Sequence, residues 1–177
     1  LDGVVVTLGQ DYLTTNQNPL LTRNRNFGTR ASPEAPASRY IFAAGNNRLR
    51  EIFLDIDKPL LVGQTFEGTK IEPMYFTPEL PILLVNGSKG VSSGFAQNIL
   101  ARPVDSIVQC INVFLESGDY QALELINKVK PYIGDFNGTV ERDFENPQAF
   151  KWLFTANFQI DKNVVTILDI PYGSDLR

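Results

Sequence analysis

The chain has 177 residues, of which 43% are hydrophobic and 20% charged, as in a globular protein with one large domain or two small ones. It contains no histidine and one cysteine, which excludes an internal disulfide, histidine-based acid–base catalysis within the chain and, in practice, a zinc site. There is no apolar run of about 18 residues and no signal-peptide pattern, so we expect no membrane contact. The cysteine, Cys110, lies in an apolar run, which predicts a buried thiol in a reducing compartment, the cytoplasm.

The net charge of −4 hides an asymmetry along the chain. Residues 17–50 hold one acid, Glu34, and six arginines, a local charge of +5, whereas the rest of the chain has a charge of −9. The six are Arg23, Arg25, Arg30, Arg39, Arg48 and Arg50. Because the planar guanidinium group suits phosphate, this segment is either a phosphate-binding surface or a solvated basic loop.

The first part of the chain predicts short elements around a long loop. Residues 4–15 have the pattern of the end of a helix. Residues 22–38 are rich in Asn, Gly, Pro and Ser and predict a loop, and loops of this length are usually functional or disordered. Residues 39–42 are β-like, and helical spacing of apolar residues begins again at Asn46.

The middle of the chain predicts an extended stretch, a turn and two helices. Residues 71–87 contain three prolines and are expected to be extended, ending in a buried strand at 82–85. The following "NGSKGVSSG" predicts a glycine-rich turn, and it lacks the spacing of nucleotide-binding loops. Residues 104–116 form an amphipathic helical pattern, and 119–129 form a second, weaker one.

The last part of the chain has the texture of β-structure. After Pro131 the segments "GTVERDF", "AFKWLFTANFQI" and "NVVTILDIP" predict strands, and "DKN" at 161–163 predicts a hairpin turn between the last two. The whole pattern therefore indicates a mixed α/β (α+β) fold in which the sheet is mostly antiparallel.

Three stretches carry a resemblance to a known family. They are "NFGTRASPEAPASRYIF", "IEPMYFTPELPILLVNGSKGVSSGFAQNI" and, more weakly, "GDFNGTVERD" followed by "LDIPYGSD". Their order and spacing resemble the DNA cleavage and rejoining subunit of type IIA topoisomerases, the gyrase A and topoisomerase IV A type. The detail "NRNFGTR" is most similar to T-even bacteriophage members of that family.

The resemblance implies a domain organisation and an activity. Residues 1–61 would form the C-terminal part of a winged-helix domain, and 62–177 a tower-like, DNA-bending subdomain. The chain would be a piece of a longer one, with more of the winged helix before it and a coiled coil after it. The implied enzyme is an ATP-dependent type II DNA topoisomerase, an isomerase that cleaves one duplex, passes a second through the break and reseals the first.

The resemblance places the covalent chemistry at Tyr40. A tyrosine of this family attacks a DNA phosphate and forms a 5′-phosphotyrosyl link, and Tyr40 matches it. Phenols ionise only at a pH of about 10, so the nucleophile needs help, and Arg39 is expected to stabilise the pentacovalent phosphate. The plainer interpretation is that Tyr40 is a half-buried strand aromatic.

Further residues are expected to contact DNA. Arg30 of "FGTR" is a candidate phosphate contact, and Arg23 and Arg25 are weaker candidates. Val91 matches the family's isoleucine that wedges between base pairs, and its alternative is a turn residue packed into the core. Lys89, at a position that is acidic in cellular relatives, would add a phosphate contact.

The implied cofactors and most partners lie outside the chain. A partner subunit would hold Mg²⁺ in its toprim domain and ATP in its ATPase domain, because Asp55 and Asp57 here are scattered surface acids. The implied partners are double-stranded DNA, a second copy of this chain and the ATPase/toprim subunit of a hetero-oligomer, without which the fragment would be inactive. A phage-encoded chain would act in the host cytoplasm. Two alternatives are a non-catalytic DNA-binding or bending module and an unrelated protein-interaction domain.

Overall fold

The computed structural model describes residues 2–145 and 151–174. Four α-helices lie in these ranges: α1 Asp2–Gly9, α2 Leu49–Ile52, α3 Ile82–Val85 and α4 Val104–Ser117. The strands before helix α4 are β1 Leu21–Asn24, β2 Phe42–Gly45, β3 Gln64–Phe66, β4 Thr69–Ile71, β5 Ser88–Ser92 and β6 Phe95–Ile99. Those after α4 are β7 Thr139–Arg142, β8 Trp152–Thr155, β9 Asn157–Asp161 and β10 Val164–Asp169. Short 3₁₀ segments span Ser38–Tyr40, Asp55–Leu60 and Tyr120–Lys128.

The strands pair as antiparallel two-stranded ladders throughout the described residues. Each strand pairs with the next in the chain, so the ladders are β1–β2, β3–β4, β5–β6, β7–β8 and β9–β10. The predicted fold class, mixed α/β with antiparallel strands, is confirmed. The predicted hairpin turn is confirmed as well, because Asp161 of β9 lies opposite Val164 of β10 with two residues between them.

Helix α4 matches its predicted range closely. It spans Val104–Ser117, follows Pro103 and is capped by Gly118, whose φ of +66° is accessible to glycine at little cost. The helix buries Ile107, which is 1% exposed, and Cys110, which is 7% exposed. The cysteine is therefore the inert core thiol that its apolar setting predicts.

The core is small, and its buried residues come from α3, α4, β7 and the loops beside them. The buried hydrophobic residues among those described are Phe27, Val85, Ala101, Ile107, Cys110, Phe136 and Val140. Arg102 is also buried; it donates to the carbonyl oxygens of Ile126 and Leu100, and burial lowers the pKa of its guanidinium group. In the described part of the chain, every helix is too short or too polar to cross a membrane.

The predicted buried strand at 82–85 is wrong, because these residues form helix α3. The amide of Val85 donates to the carbonyl of Pro81, and proline suits the start of a helix. Val85 is buried, whereas Leu83 is 50% exposed. A run of four apolar residues has no readable period, so its pattern alone could not separate a strand from a helical turn.

The elements around the long loop differ from their predicted positions. The predicted helix at 4–15 ends at Gly9. The predicted loop at 22–38 starts too early, because β1 continues to Asn24, and the predicted strand at 39–42 is shifted to Phe42–Gly45. The cause is the pairing of β1 with β2, a contact between distant residues that stabilises a short strand of modest local preference.

Candidate functional site

Tyr40 lies in the loop that joins β1 to β2. The ladder between these strands ends at the pair Asn24 and Phe42, so residues 25–41 form the connection at that end. Tyr40 closes a single 3₁₀ turn, Ser38–Tyr40, in which its amide donates to the carbonyl of Ala37 over 2.9 Å. Its side chain is 59% exposed. Tyr40 is thus not a half-buried strand aromatic, and its phenol is accessible to a large substrate.

Arg39 packs against the ring of its neighbour. Its guanidinium carbon lies 5.3 Å from the centroid of the Tyr40 ring, within the range of a cation–π contact. This contact holds a permanent positive charge next to the phenol. The arrangement can therefore stabilise negative charge that develops on a group bound beside the tyrosine oxygen.

Arg23 and Arg25 lie at the same end of the β1–β2 ladder as Tyr40. Arg23 is on β1 opposite Ala43, and its Nη2 lies 3.0 Å from the carboxylate of Asp11 in a half-exposed ion pair. Arg25 directly follows the strand and has a φ of +79°, which turns the chain into the loop. A phosphate that bound Arg23 would compete with Asp11, whereas the side chain of Arg25 is exposed.

Arg30 forms an ion pair with Asp169, which is distant from it in sequence. Its Nη1 lies 2.6 Å from Oδ1 of Asp169, and its Nη2 donates to the carbonyl of Ile170 over 2.9 Å. The other carboxylate oxygen of Asp169 accepts from the amide of Asn137 over 3.0 Å. The Asn137 amide first, and then Arg30, hold the pKa of Asp169 below its ordinary value. That Arg30 contacts phosphate stays a prediction.

The loop between the basic residues is fixed by backbone geometry. Phe27 is fully buried, and Gly28 adopts a φ of +91°, which favours glycine. A Cβ at position 28 would lie 2.5 Å from the carbonyl oxygen of Pro33, so no side chain fits there. The amides of Thr29 and Ser32 donate to each other's carbonyl oxygens. This explains why "FGTR" contains phenylalanine and glycine at these positions.

The glycine-rich segment forms the β5–β6 hairpin. Val91 lies near its tip opposite Ala96 and is 87% exposed, which excludes the alternative that it packs into the core. Lys89 is exposed on the same strand, opposite Asn98. The hairpin thus presents an apolar side chain and a cation to solvent.

The hairpin base is bonded to the segment that leads into β1. The amide of Asn18 donates to the side-chain oxygen of Asn86 over 2.8 Å, and the side-chain amide of Asn86 donates back to the carbonyl of Asn18 over 2.9 Å. Gly87 has a φ of +74°, as expected for a turn-forming glycine, and a Cβ there would lie 2.6 Å from the carbonyl oxygen of Ile99. Nothing in the sequence around Asn18 indicates its contact with Asn86, which is seen only in the folded structure.

A groove runs beside the hairpin base. Its volume is about 960 Å³, and its lining includes Lys89, Asn98, Lys151 and Trp152. Lys151 was not among the predicted site residues, since a lone lysine before a strand carries no signal. The groove adds a second cation to the surface that begins at Lys89.

The described residues offer no cluster of metal ligands. They contain no group of three or more His, Cys, Asp or Glu side chains that could hold a metal ion. Asp55 lies 2.7 Å from Lys58 in an exposed ion pair, and the Lys58 hydrogen bond lowers its pKa. Asp55 and Asp57 therefore act as surface residues of a 3₁₀ segment.

The matches to known proteins cover nearly the whole chain. Residues 1–176 match the family model that describes the A subunit of DNA gyrase/topoisomerase IV. The mitochondrial DNA topoisomerase 2 of Dictyostelium discoideum is 35% identical over 146 residues, which cover 81% of this chain and 11% of that protein. The DNA topoisomerase 2 of Acanthamoeba polyphaga mimivirus is 27% identical over 176 residues, which cover 98% of this chain and 13% of that protein.

The fold is also that of a solved relative. The crystal structure of the Plasmodium falciparum topoisomerase II DNA-binding, cleavage and re-ligation domain matches with a TM-score of 0.76 and 27% identity, over 97% of this chain and 23% of that one. Sequence and fold thus define the class as type IIA topoisomerases. The chain belongs to the family of the DNA gyrase and topoisomerase IV A subunit, as its motifs indicate. It spans 11% and 13% of the length of the two curated relatives, and closeness to phage members stays a prediction.

Proposed function

We propose that this chain is the part of an ATP-dependent type II DNA topoisomerase that cleaves and rejoins DNA, with Tyr40 as the nucleophile. The observation that carries the proposal is an exposed phenol with an arginine stacked on its ring, within the basic segment of an otherwise acidic chain. The membership of the chain in the gyrase A family supports the same role.

The proposed step is a reversible transesterification. The Tyr40 oxygen forms a bond to the phosphorus atom, the bond from phosphorus to the 3′ oxygen breaks, and that oxygen leaves with the electron pair. The phenolic proton passes to solvent or a base, and the leaving oxygen takes up a proton to become a 3′-hydroxyl. Reversal exchanges one phosphodiester for another, so religation needs no external energy source.

The other basic residues have the proposed role of placing the DNA. Arg39 stabilises the charge on the pentacovalent phosphate, while Arg23, Arg25 and Lys89 contact the backbone on either side. Arg23 would exchange its contact with Asp11 for a phosphate. Such contacts fix the register of the duplex and carry no sequence information.

The remaining components are proposed to come from outside the described residues. A partner subunit would hold magnesium in a toprim domain and ATP in an ATPase domain, within an assembly that contains two copies of this chain. Residues 1–61 would belong to the winged-helix domain and 62–177 to the tower-like subdomain. No step proposed for this chain depends on how the metal is bound.

Peptide mapping of the covalent adduct tests the proposed function. The reconstituted enzyme is incubated with a short duplex and metal, denatured and digested with protease and nuclease. We expect a single nucleotide-bearing peptide that contains Tyr40, because its phenol lies exposed beside Arg39. An adduct on another tyrosine, such as the exposed Tyr75, would overturn the assignment. Salt-sensitive DNA binding without any adduct would favour the non-catalytic bending module.

Replacing Val91 with alanine tests the proposed wedge. The change removes two methyl groups, which should lower the stability of the bent complex by about 1.5 kcal/mol, or about tenfold in the bent fraction. Energy transfer between dyes at the two ends of a bound duplex measures the bend. Val165→Ala removes the same groups from an exposed position of β10 and should leave the bend unchanged. An unchanged bend in Val91→Ala would show that the valine does not insert.

A further inference from the structure

The carboxylate of Asp169 joins three parts of the chain that are distant in sequence. It forms an ion pair with Arg30 of the loop that carries Tyr40. Its second oxygen accepts a hydrogen bond from the amide of Asn137, two residues before β7. Asp169 itself ends β10, opposite Asn157 of β9. Only 8% of its side chain is exposed, so water competes weakly for these bonds.

The guanidinium group of Arg30 is fixed by two hydrogen bonds. Arg30 places Nη1 on the carboxylate and Nη2 on the carbonyl of Ile170, the next residue along the chain. Its side chain is 23% exposed, and its Nε is buried without a partner among the described residues. Such a guanidinium group depends on Asp169 for charge compensation, because burial without a counter-ion is unfavourable.

We infer that Asp169 is a positioning residue, which fixes the Tyr40 loop against β7 and β10 through Arg30. The inference rests on the proposed function of Tyr40. Gly28 has no room for a Cβ, and Thr29 and Ser32 exchange backbone hydrogen bonds around Arg30, so a restraint on Arg30 is passed to the turn that contains it. In-line attack requires the nucleophile within about 3.5 Å of phosphorus, and misplacement by about 1 Å costs up to about 100-fold in rate.

Asp169→Asn in the reconstituted enzyme tests the inference. The amide keeps the shape and one acceptor but removes the charge. We expect the cleavage rate at saturating DNA to fall about 10- to 100-fold while the Kd for DNA changes less than about twofold. Asp161→Asn, at the exposed end of β9, is the matched control and should leave both quantities unchanged.

Arg30→Gln separates this role from a direct phosphate contact. If Arg30 acts through Asp169, the two variants share one phenotype: a lower cleavage rate with intact DNA affinity. If Arg30 binds phosphate instead, Arg30→Gln weakens DNA binding and lowers its salt dependence by the equivalent of about one phosphate contact. Asp169→Asn then leaves DNA binding intact or strengthens it. The second pattern would overturn the inference.

Hydrogen exchange makes the test independent of catalysis. In Asp169→Asn the amides of residues 28–41 should exchange about tenfold faster, with no change in Asp161→Asn. Unchanged exchange would overturn the inference even if cleavage fell, and Tm excludes global unfolding as the cause. A wild-type enzyme that forms no adduct at Tyr40 would overturn the proposed function and the catalytic part of this inference, while faster exchange would still establish the restraint.

The pH dependence of stability gives a further readout. The pKa of Asp169 is lowered in the folded chain from 3.8, so the contact contributes fully above about pH 5 and is lost as the pH falls through the folded-state value. The difference in stability between wild type and Asp169→Asn should therefore be constant near neutral pH and shrink below pH 3.8. A difference that stayed constant down to about pH 2 would contradict a charge-dependent contact.

Discussion

Tyr40→Phe is expected to abolish the covalent protein–DNA adduct, with a loss of at least about 1,000-fold. Phenylalanine retains the ring that stacks on Arg39 and removes only the oxygen that would attack phosphorus. Since Tyr40 is 59% exposed and its hydroxyl lies outside the core, the substitution should leave the fold and the Kd for DNA unchanged within about twofold. The measurement is the fraction of DNA retained with denatured protein after incubation with metal and the partner subunit.

Tyr75→Phe is the matched control for this prediction. Tyr75 is also an exposed tyrosine, at 52%, and it lies in the segment after β4, away from the arginine-rich loop in sequence. The control should form adducts at the wild-type level. If adducts survive Tyr40→Phe, the nucleophile lies elsewhere and Tyr40 is not the counterpart of the family's catalytic tyrosine.

Local pattern predicted the parts of the fold that depend on local structure. Helix α4 has 14 residues and repeats its apolar positions for almost four turns, so the interpretation was confirmed to within one residue. The turn after Asp161 was confirmed because it is specified by the two residues that form it. Segment 82–85 is too short to repeat an apolar pattern, and the expected strand is a helical turn.

The candidate site was predictable only where its parts are close in sequence. The pair Arg39 and Tyr40 could be proposed from the chain because the two residues are adjacent. The partner of Arg30 could not, because Asp169 lies 139 residues away and nothing in its neighbourhood specifies a contact with the loop. The same holds for Asn18 and Asn86, whose reciprocal bonds join the hairpin to the segment before β1. Such pairs depend on tertiary packing, which local patterns do not contain.

Arg39→Ala is expected to lower the rate of adduct formation at saturating DNA about 100-fold. The reason is electrostatic: the guanidinium carbon lies 5.3 Å from the centre of the Tyr40 ring, where the group would bind the negative oxygens of the proposed pentacovalent phosphate. Loss of one such preorganised donor costs about 100- to 1,000-fold in comparable sites. Single-turnover cleavage of a radiolabelled duplex measures this rate.

Arg39→Lys and Arg50→Ala complete the comparison. Lysine keeps the charge without the planar fork, so Arg39→Lys should form the adduct about tenfold faster than Arg39→Ala. Arg50 is an exposed arginine of the same basic segment, and its removal controls for the lowered local charge. The cation–π contact of Arg39 is exposed and contributes only about 0.5–1 kcal/mol, so Tm should change little. Suppose that Arg39→Ala weakened DNA binding in a salt-dependent way but left the cleavage rate at saturating DNA unchanged. Arg39 would then be a contact to the DNA backbone. The electrostatic stabilisation at Tyr40 would then come from a different group.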